Sequence, residues 1–227
     1  MFKEYLKTEI KIAILVDGAF FIKRHKRLFR GNRYDPVKVA KDLYTMVHKH
    51  ADKKYLYRVL YYDCLPLMKR AHNPISKQPI DFAQSKLAQF KLDFYEELKK
   101  KRKVALRMGY VRDNNAWLIW PNKTKELLSG KIALSDLKDV DVYYDIRQKG
   151  VDIRMGLDIA SLAYKRLVDQ IVLVTGDSDF VPAAKLARRE GIDVILDPMW
   201  NHVEDSLFEH IDGLQTFAPK PEPPKTP

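Results

Sequence analysis

The chain has one cysteine in 227 residues, Cys64, so neither an internal disulfide framework nor a multi-cysteine zinc site can be built from it. A lone thiol suits a reducing compartment, and a cytoplasmic location is expected. No apolar run is long enough to span a bilayer, so no membrane partner is expected. The opening "MFKEYLKTEIKIAILVDG" breaks its short apolar run at Asp17 and has no small-residue cleavage pattern, which argues against a signal peptide. The six histidines are scattered, and they form no pair and no Ser-His-Asp constellation. "LLSGKI" ends like a phosphate loop but lacks the leading glycine. There is no internal repeat. Disulfide scaffolds, zinc modules and Walker nucleotidases are thereby set aside.

Positive charge is abundant. The 41 Lys and Arg against 30 Asp and Glu give a formal net charge of +11. Such an excess favours polyanionic partners, because Lys and Arg displace the counterions condensed on nucleic-acid phosphates. The hydrophobic fraction of 46% and charged fraction of 31% are those of a globular protein.

Short apolar runs alternate with helical patterns. "KIAILV" (Lys11 to Val16) reads as a buried parallel strand and stops at Asp-Gly. A basic helix follows in "AFFIKRHKRLFR", "GNRYDP" breaks it, and Pro36 starts a second helix reaching about His50. "YLYRVLYYDC" (Tyr55 to Cys64) is the next strand. "LPLMKRAHNPISKQPIDF" reads as a loop or lid. The spacing of Leu87, Phe90, Phe94 and Leu98 predicts an amphipathic helix from Ala83 to about Lys100. "VALRMGYVR-DNN-AWLIWP" resembles a hairpin about an Asp-Asn-Asn turn, and Asn122 to Leu137 fits no single pattern. "VDVYYDIRQKG" is a strand. The helix after it places Ile153, Leu157, Ala160 and Tyr164 on one face. "QIVLVTG", "PAAKLARREG" and "IDVILDP" then form strand, helix and strand, the order of a βαβ unit. A short helix near Val203 to His210 precedes the tail "PKPEPPKTP". The expected organisation is one α/β domain over 1–217, a basic insertion at about 63–138, and a Pro-rich disordered tail at 218–227.

Acids collect where strands end. Asp17 follows "IAILV", Asp177 and Asp179 follow "IVLVTG", and Asp152 opens a helix after "YYDIRQKG". In an open parallel sheet these positions fall on one rim, where ligands bind. Clustered carboxylates are the hard oxygen ligands preferred by Mg²⁺ and Mn²⁺. Each acid also has a plainer use. Asp177, Ser178 or Asp152 could cap a helix, and Asp17 before Gly18 could serve a turn. Asp158 is a candidate fifth ligand, but it is turned roughly 240° around the helix from Asp152 and could instead pair with Arg154.

The stretches "ILVDGAFF", "QKGVDIRMGLDIASLAY" and "IVLVTGDSDFVPAAKLARREGIDVIL" together resemble the NYN domain. This is the branch of PIN-like nucleases that includes the bacterial LabA and DUF88 proteins. The resemblance implies a Rossmann-like, PIN-like three-layer fold with a mostly parallel sheet between two helical layers. It further implies a metal-dependent ribonuclease whose catalytic and metal-binding acids fall on Asp17, Asp152, Asp177 and Asp179. Lys149 and Ser178 belong to the same motifs, and Asp158 matches a further acid of the family. Many relatives carry asparagine three residues after the first aspartate, where this chain has Phe20.

Substrate contacts are expected from Lys23, Arg24 and Arg27 on the basic first helix, beside Asp17. The middle span carries "KKKRK", with Lys101 and Arg102, among Tyr110, Trp117 and Trp120. Basic residues interleaved with aromatics suit single-stranded RNA, charge following the backbone and rings stacking on bases. A solvated helix end and hairpin packing are the plainer accounts of the lysines and the tryptophans. A homodimer is a further candidate assembly. The competing function is a non-catalytic RNA-binding or regulatory protein-interaction module on the same fold. A haloacid-dehalogenase-type phosphatase would need a second aspartate where Ala19 stands, and a toprim-type site gives no reason for "KGVD".

Overall fold

The computed structural model describes residues 9–29, 31 and 34–221. The opening eight residues, Arg30, part of "GNRYDP" and tail residues 222–227 lie outside them. In chain order the main elements are β1 (Lys11–Asp17), α1 (Gly18–Leu28), α2 (Pro36–His50), β2 (Tyr55–Cys64), β3 (Arg70–His72), β4 (Pro79–Asp81), α3 (Lys86–Lys99) and β5 (Val104–Ile119). There follow α4 (Pro121–Leu128), β6 (Val142–Lys149), α5 (Val151–Tyr164), β7 (Gln170–Val174), α6 (Val181–Arg189), β8 (Asp193–Asp197), α7 (Asp205–Phe208) and β9 (Gly213–Leu214).

Among the described residues, seven strands form one sheet in the order β6-β5-β2-β1-β7-β8-β9. All neighbours run parallel except β5 with β6. β1 is central and its Ile12–Val16 run is fully buried, as a strand covered on both faces requires. Alternation along the strands feeds two cores. Ile12, Ile14, Val16 and Tyr61 pack against α1, α2 and α3, while Ala13, Leu15, Leu60 and Tyr62 pack against α5 and α6. The result is the expected three-layer α/β fold. Pro36 opens α2 at its first turn, with Asp35 accepting a cap bond from the Lys38 amide at 3.0 Å.

Four local expectations are corrected. The Asp-Asn-Asn stretch does not turn a hairpin, because β5 runs through it as one strand. Between the pairs Asp113↔Ile146 and Trp117↔Tyr144 the register shifts, so the extra residues form a bulge. Asn115 takes φ 52° there, its amide bonded to Asp113 Oδ1 at 2.7 Å. The partner strand for both halves is β6, too distant in sequence for a turn pattern to reveal.

In α5 the expected inner face points outward: Ile153, Leu157 and Tyr164 are 63%, 62% and 63% exposed. The sheet instead takes Val151, Met155, Ile159 and Leu162. Both stripes are apolar at helical spacing, so periodicity alone could not choose. In α3, Phe90, Phe94 and Leu98 are buried as expected, but Leu87 is exposed and Tyr95 joins them. Finally, the tail begins in the core. Ala218 is buried and its carbonyl accepts from Trp200 Nε1 at 2.9 Å.

The span 63–138 divides in two. α3 and the first six residues of β5 belong to the central core, Val104 to Gly109 pairing with Val59 to Cys64. Beyond that, β5 and β6 leave the carboxyl edge of the sheet as a ribbon, braced by the β3–β4 hairpin. Lys69 of that hairpin region donates to Asp113, Asn115 and the Tyr144 hydroxyl at 2.6–3.0 Å. Trp117 packs edge-on against Tyr144, and Trp120 lies 4.2 Å from Tyr143 between ring centroids, so both tryptophans serve ribbon packing.

Candidate active site

From β1 the chain proceeds to β2 and β5 on one side and to β7 and β8 on the other. Parallel neighbours whose connections leave in opposite directions open a crevice at their carboxyl ends. Asp17 ends β1 and Asp177 follows β7 after Thr175 and Gly176. Between them lies an open cleft of about 430 Å³, lined by Asp17, Phe20, Lys23, Asp177, Ser178 and Glu204 among others. Asp152 stands in the first turn of α5, and Asp179 in the single turn that follows Asp177.

Mutual repulsion ties these acids into one group. Burial pushes the Asp17 carboxyl up to about 6, opposed by the bond from the Phe20 amide and aided by the charges of Asp152 and Asp63. Asp152 is also raised, first by partial burial of its carboxyl, then by the charges of Asp177 and Asp179. The folded protein therefore holds a proton on Asp17 that the unfolded chain has already released. Asp17's contribution to stability should fall as pH rises from the ordinary value of 3.8 through about 6, above which the full cost of the buried charge is present. Melting in EDTA across that window checks this. Asp17→Asn should gain on wild type as pH rises, and parallel curves would refute it.

The capping uses are also real. Asp17 Oδ1 accepts from the Phe20 amide at 3.1 Å, and Asp177 Oδ1 accepts from the Asp179 amide at 2.9 Å. A cap does not exhaust a carboxylate, which has about four lone-pair sites. Among the described residues no three Asp, Glu, His or Cys side chains are drawn into ion-holding contact. An ion that keeps most of its water needs only one or two carboxylates directly. The all-oxygen donor set, with Asp17 already costly to ionise, fits such a hard cation.

The other expected residues separate. Ser178 lines the cleft, and Lys23 and Arg27 are exposed on α1 beside it. Lys149 is exposed at the end of β6, opposite Tyr110 in register and three residues before Asp152. Arg24 is buried, its Nε and Nη2 donating to the Met199 carbonyl at 3.0 and 2.7 Å, so its role is to tie α1 to the loop after β8. Asp158 is engaged away from the other acids. Arg107 Nε and the Tyr62 hydroxyl each lie 2.9 Å from Oδ2, while Arg154 donates to the Met108 carbonyl instead. Lys101 and Arg102 precede β5 and so lie at the amino edge of the parallel sheet. Six strand residues at about 3.3 Å each put roughly 20 Å between them and the rim. The lysine cluster is a solvated helix end, with Lys99 and Lys100 paired to Glu96 and Glu97.

Three residues that the sequence pattern did not single out join the site. Asp63 is the last residue but one of β2, where Asp17 is the last of β1; it is 1% exposed, paired to Lys91 at 2.7 Å, and its Oδ2 is buried without a partner among the described residues. Its signal was legible, an acid near the end of an apolar strand. Asn201 and Glu204 arrive from the loop after β8, which carries no motif. A methyl group at Gly176 would lie 2.7 Å from the Phe20 ring and 3.0 Å from Asn201 Nδ2. Phe20 thus packs on Gly176, and the carboxamide beside that glycine is supplied by Asn201.

A family model of the NYN domain matches residues 80–209, which is more than half of the chain. The chain therefore belongs to the NYN domain family, within the PIN-like nuclease superfamily. The match includes Asp152, Asp177 and Asp179 and begins after Asp17 and Asp63. Among solved structures, a protein of unknown function from Vibrio parahaemolyticus RIMD 2210633 is similar at 18% identity over 93% of this chain and 94% of that one, with a TM-score of 0.48. No curated protein matches. Among the described residues no helix is long and apolar enough to cross a membrane.

Proposed function

We propose that the protein is a cytoplasmic, metal-dependent ribonuclease acting on single-stranded RNA, with Asp17, Asp152, Asp177 and Asp179 as its catalytic acids. The observation that supports this reading is that β1 and the turn after β7 bring Asp17 and Asp177 to one switch-point cleft, with Asp152 near enough for its charge to act on Asp17 and for those of Asp177 and Asp179 to act on it. A bound Mg²⁺ or Mn²⁺ would supply an activated water and neutralise charge on the phosphodiester. Asp17 and Asp177, facing one cleft, would hold the ion, with Asp152 and Asp179 completing its surroundings directly or through water. Lys23 and Arg27 would dock the phosphate backbone without reading sequence, and the Ser178 hydroxyl would donate to a phosphate oxygen.

A non-catalytic RNA-binding module is the second reading, supported by Phe20 and by the capping bonds of Asp17 and Asp177. Labelled single-stranded and duplex RNA and DNA, incubated with Mn²⁺, Mg²⁺ or EDTA, separate the two. Cleavage of single-stranded RNA that needs metal and disappears in Asp177→Asn is the expected result. Wild type and variant equally inactive, yet binding RNA equally, would favour the module.

A further inference from the structure

Resting on the nuclease reading, we propose that the large cavity next to the acidic cleft is a strand-guiding groove for single-stranded RNA, in which Trp200 stacks on a base while Arg27, Lys38 and Lys220 follow the phosphates. The cavity measures about 1090 Å³. Its walls come from α1, the start of α2, the loop after β8 and the segment Pro219–Pro221. Four cations line it, and no Asp or Glu does so among the described residues. Arg24 and Arg27 border both this cavity and the Asp17–Asp177 cleft, so the two adjoin.

The cations are not equivalent. Arg24 is committed to the Met199 carbonyl, and Lys38 shares its charge with Asp42 at 3.0 Å. Arg27 and Lys220 have no ion pair among the described residues, and Arg27 is close enough to Arg24 for the two charges to oppose each other. Two cations without ion pairs, in a cavity that no acid lines among the described residues, are the electrostatic footprint of an anion's path.

The aromatic part is held in place against a conformational cost. Met199 and Trp200 take φ 45° and 60°, two consecutive left-handed residues, neither of them glycine. Residues with a side chain keep that conformation only where their surroundings over-determine it. Here they do. Asp197 Oδ1 accepts from the Met199 amide at 2.9 Å, Arg24 grips the Met199 carbonyl, and Trp200 Nε1 donates to the Ala218 carbonyl. The indole edge is thus satisfied while the residue stays 42% exposed, with Lys220 Nζ 5.8 Å from the ring centroid. Lys220 Nζ stands over the ring, so an incoming base would take its place on the indole while the displaced flexible cation meets the phosphate. A duplex hides its base faces, and a bare phosphate has no use for the indole.

The test is fluorescence anisotropy of a labelled single-stranded RNA of about ten nucleotides, within the usual site size, in EDTA so that nothing is cut. Trp200→Ala should weaken binding about tenfold or more, and Trp200→Phe, which keeps a ring, much less. The Arg27→Ala/Lys220→Ala double variant should weaken binding and lower the salt slope by about 0.7 for each phosphate no longer neutralised. Binding by Trp200→Ala and the double variant within about twofold of wild type, a preference for duplex, or no binding by wild type would overturn the groove. Groove-dependent binding without cleavage in Mg²⁺ or Mn²⁺ would keep the groove and reject the nuclease. Cleavage indifferent to all three groove variants would do the reverse.

Discussion

Asp152→Asn should lower metal-dependent cleavage by about 10²–10³-fold, the scale of losing one group that stabilises developing charge, while the fold is retained. The variant is informative because Asp152 has little structural work to do. Its side chain makes no cap bond, since Gly150, at φ 76°, occupies the N-cap of α5. What it offers the helix is a negative charge in the first turn, worth about 0.3–1 kcal/mol. Asn keeps the size and removes the charge that Asp177 and Asp179 oppose. Circular dichroism and melting should therefore be close to wild type while turnover in Mn²⁺ or Mg²⁺ collapses. Activity within about threefold of wild type would remove Asp152 from the catalytic set, well short of that scale, and leave the Asp17–Asp177 cleft to act alone.

Asp197→Ala should cost about 3–5 kcal/mol of folding stability, because it leaves several buried or partly buried donors without their acceptor, at about 1–3 kcal/mol each. His50 Nε2 lies 2.9 Å from Asp197 Oδ2, and the two side chains are 1% and 0% exposed. The other carboxylate oxygen accepts from Thr216 Oγ1 at 2.8 Å and the Met199 amide at 2.9 Å. Phe217 meets the imidazole edge-on at 4.7 Å between ring centroids. One carboxylate thus joins the end of α2, the end of β8 and the chain after β9. With a typical total of about 5–15 kcal/mol, the loss is large. Denaturant titration measures it, and His50→Ala with the double variant gives the coupling between the two. A loss below about 1 kcal/mol, the net worth of an ordinary hydrogen bond, would show that the pair adds little. Because Asp197 also holds the Met199 amide, the variant should loosen the loop that presents Asn201 and Trp200.

The central strands, the βαβ order and the acids at strand ends were legible in the sequence, because each is a local pattern. An apolar run of five or six residues stopped by Asp or Gly says where a parallel strand ends, whatever surrounds it. That is why Asp17, Asp177 and Asp179 could be assigned to one rim from local pattern. Asp63 obeys the same rule but sits at the edge of an irregular span, and its partners Lys91 and Gln148 come from α3 and β6. Long-range pairing lay beyond such patterns. Only β6, arriving after α4, makes a bulge rather than a turn of Asp113–Asn115. Only the sheet decides which of two apolar stripes α5 buries. Charge density, likewise, marks "KKKRK" and α1 alike. It is strand direction that sends Lys101 to the amino edge and Arg27 to the carboxyl edge. The sequence alone determined the class of fold and the acids of the rim, since propensity and periodicity act within a few residues. Tertiary structure decided which cations stand beside those acids, and that Asn201, Glu204 and Trp200 join them, since such contacts depend on where distant segments cross.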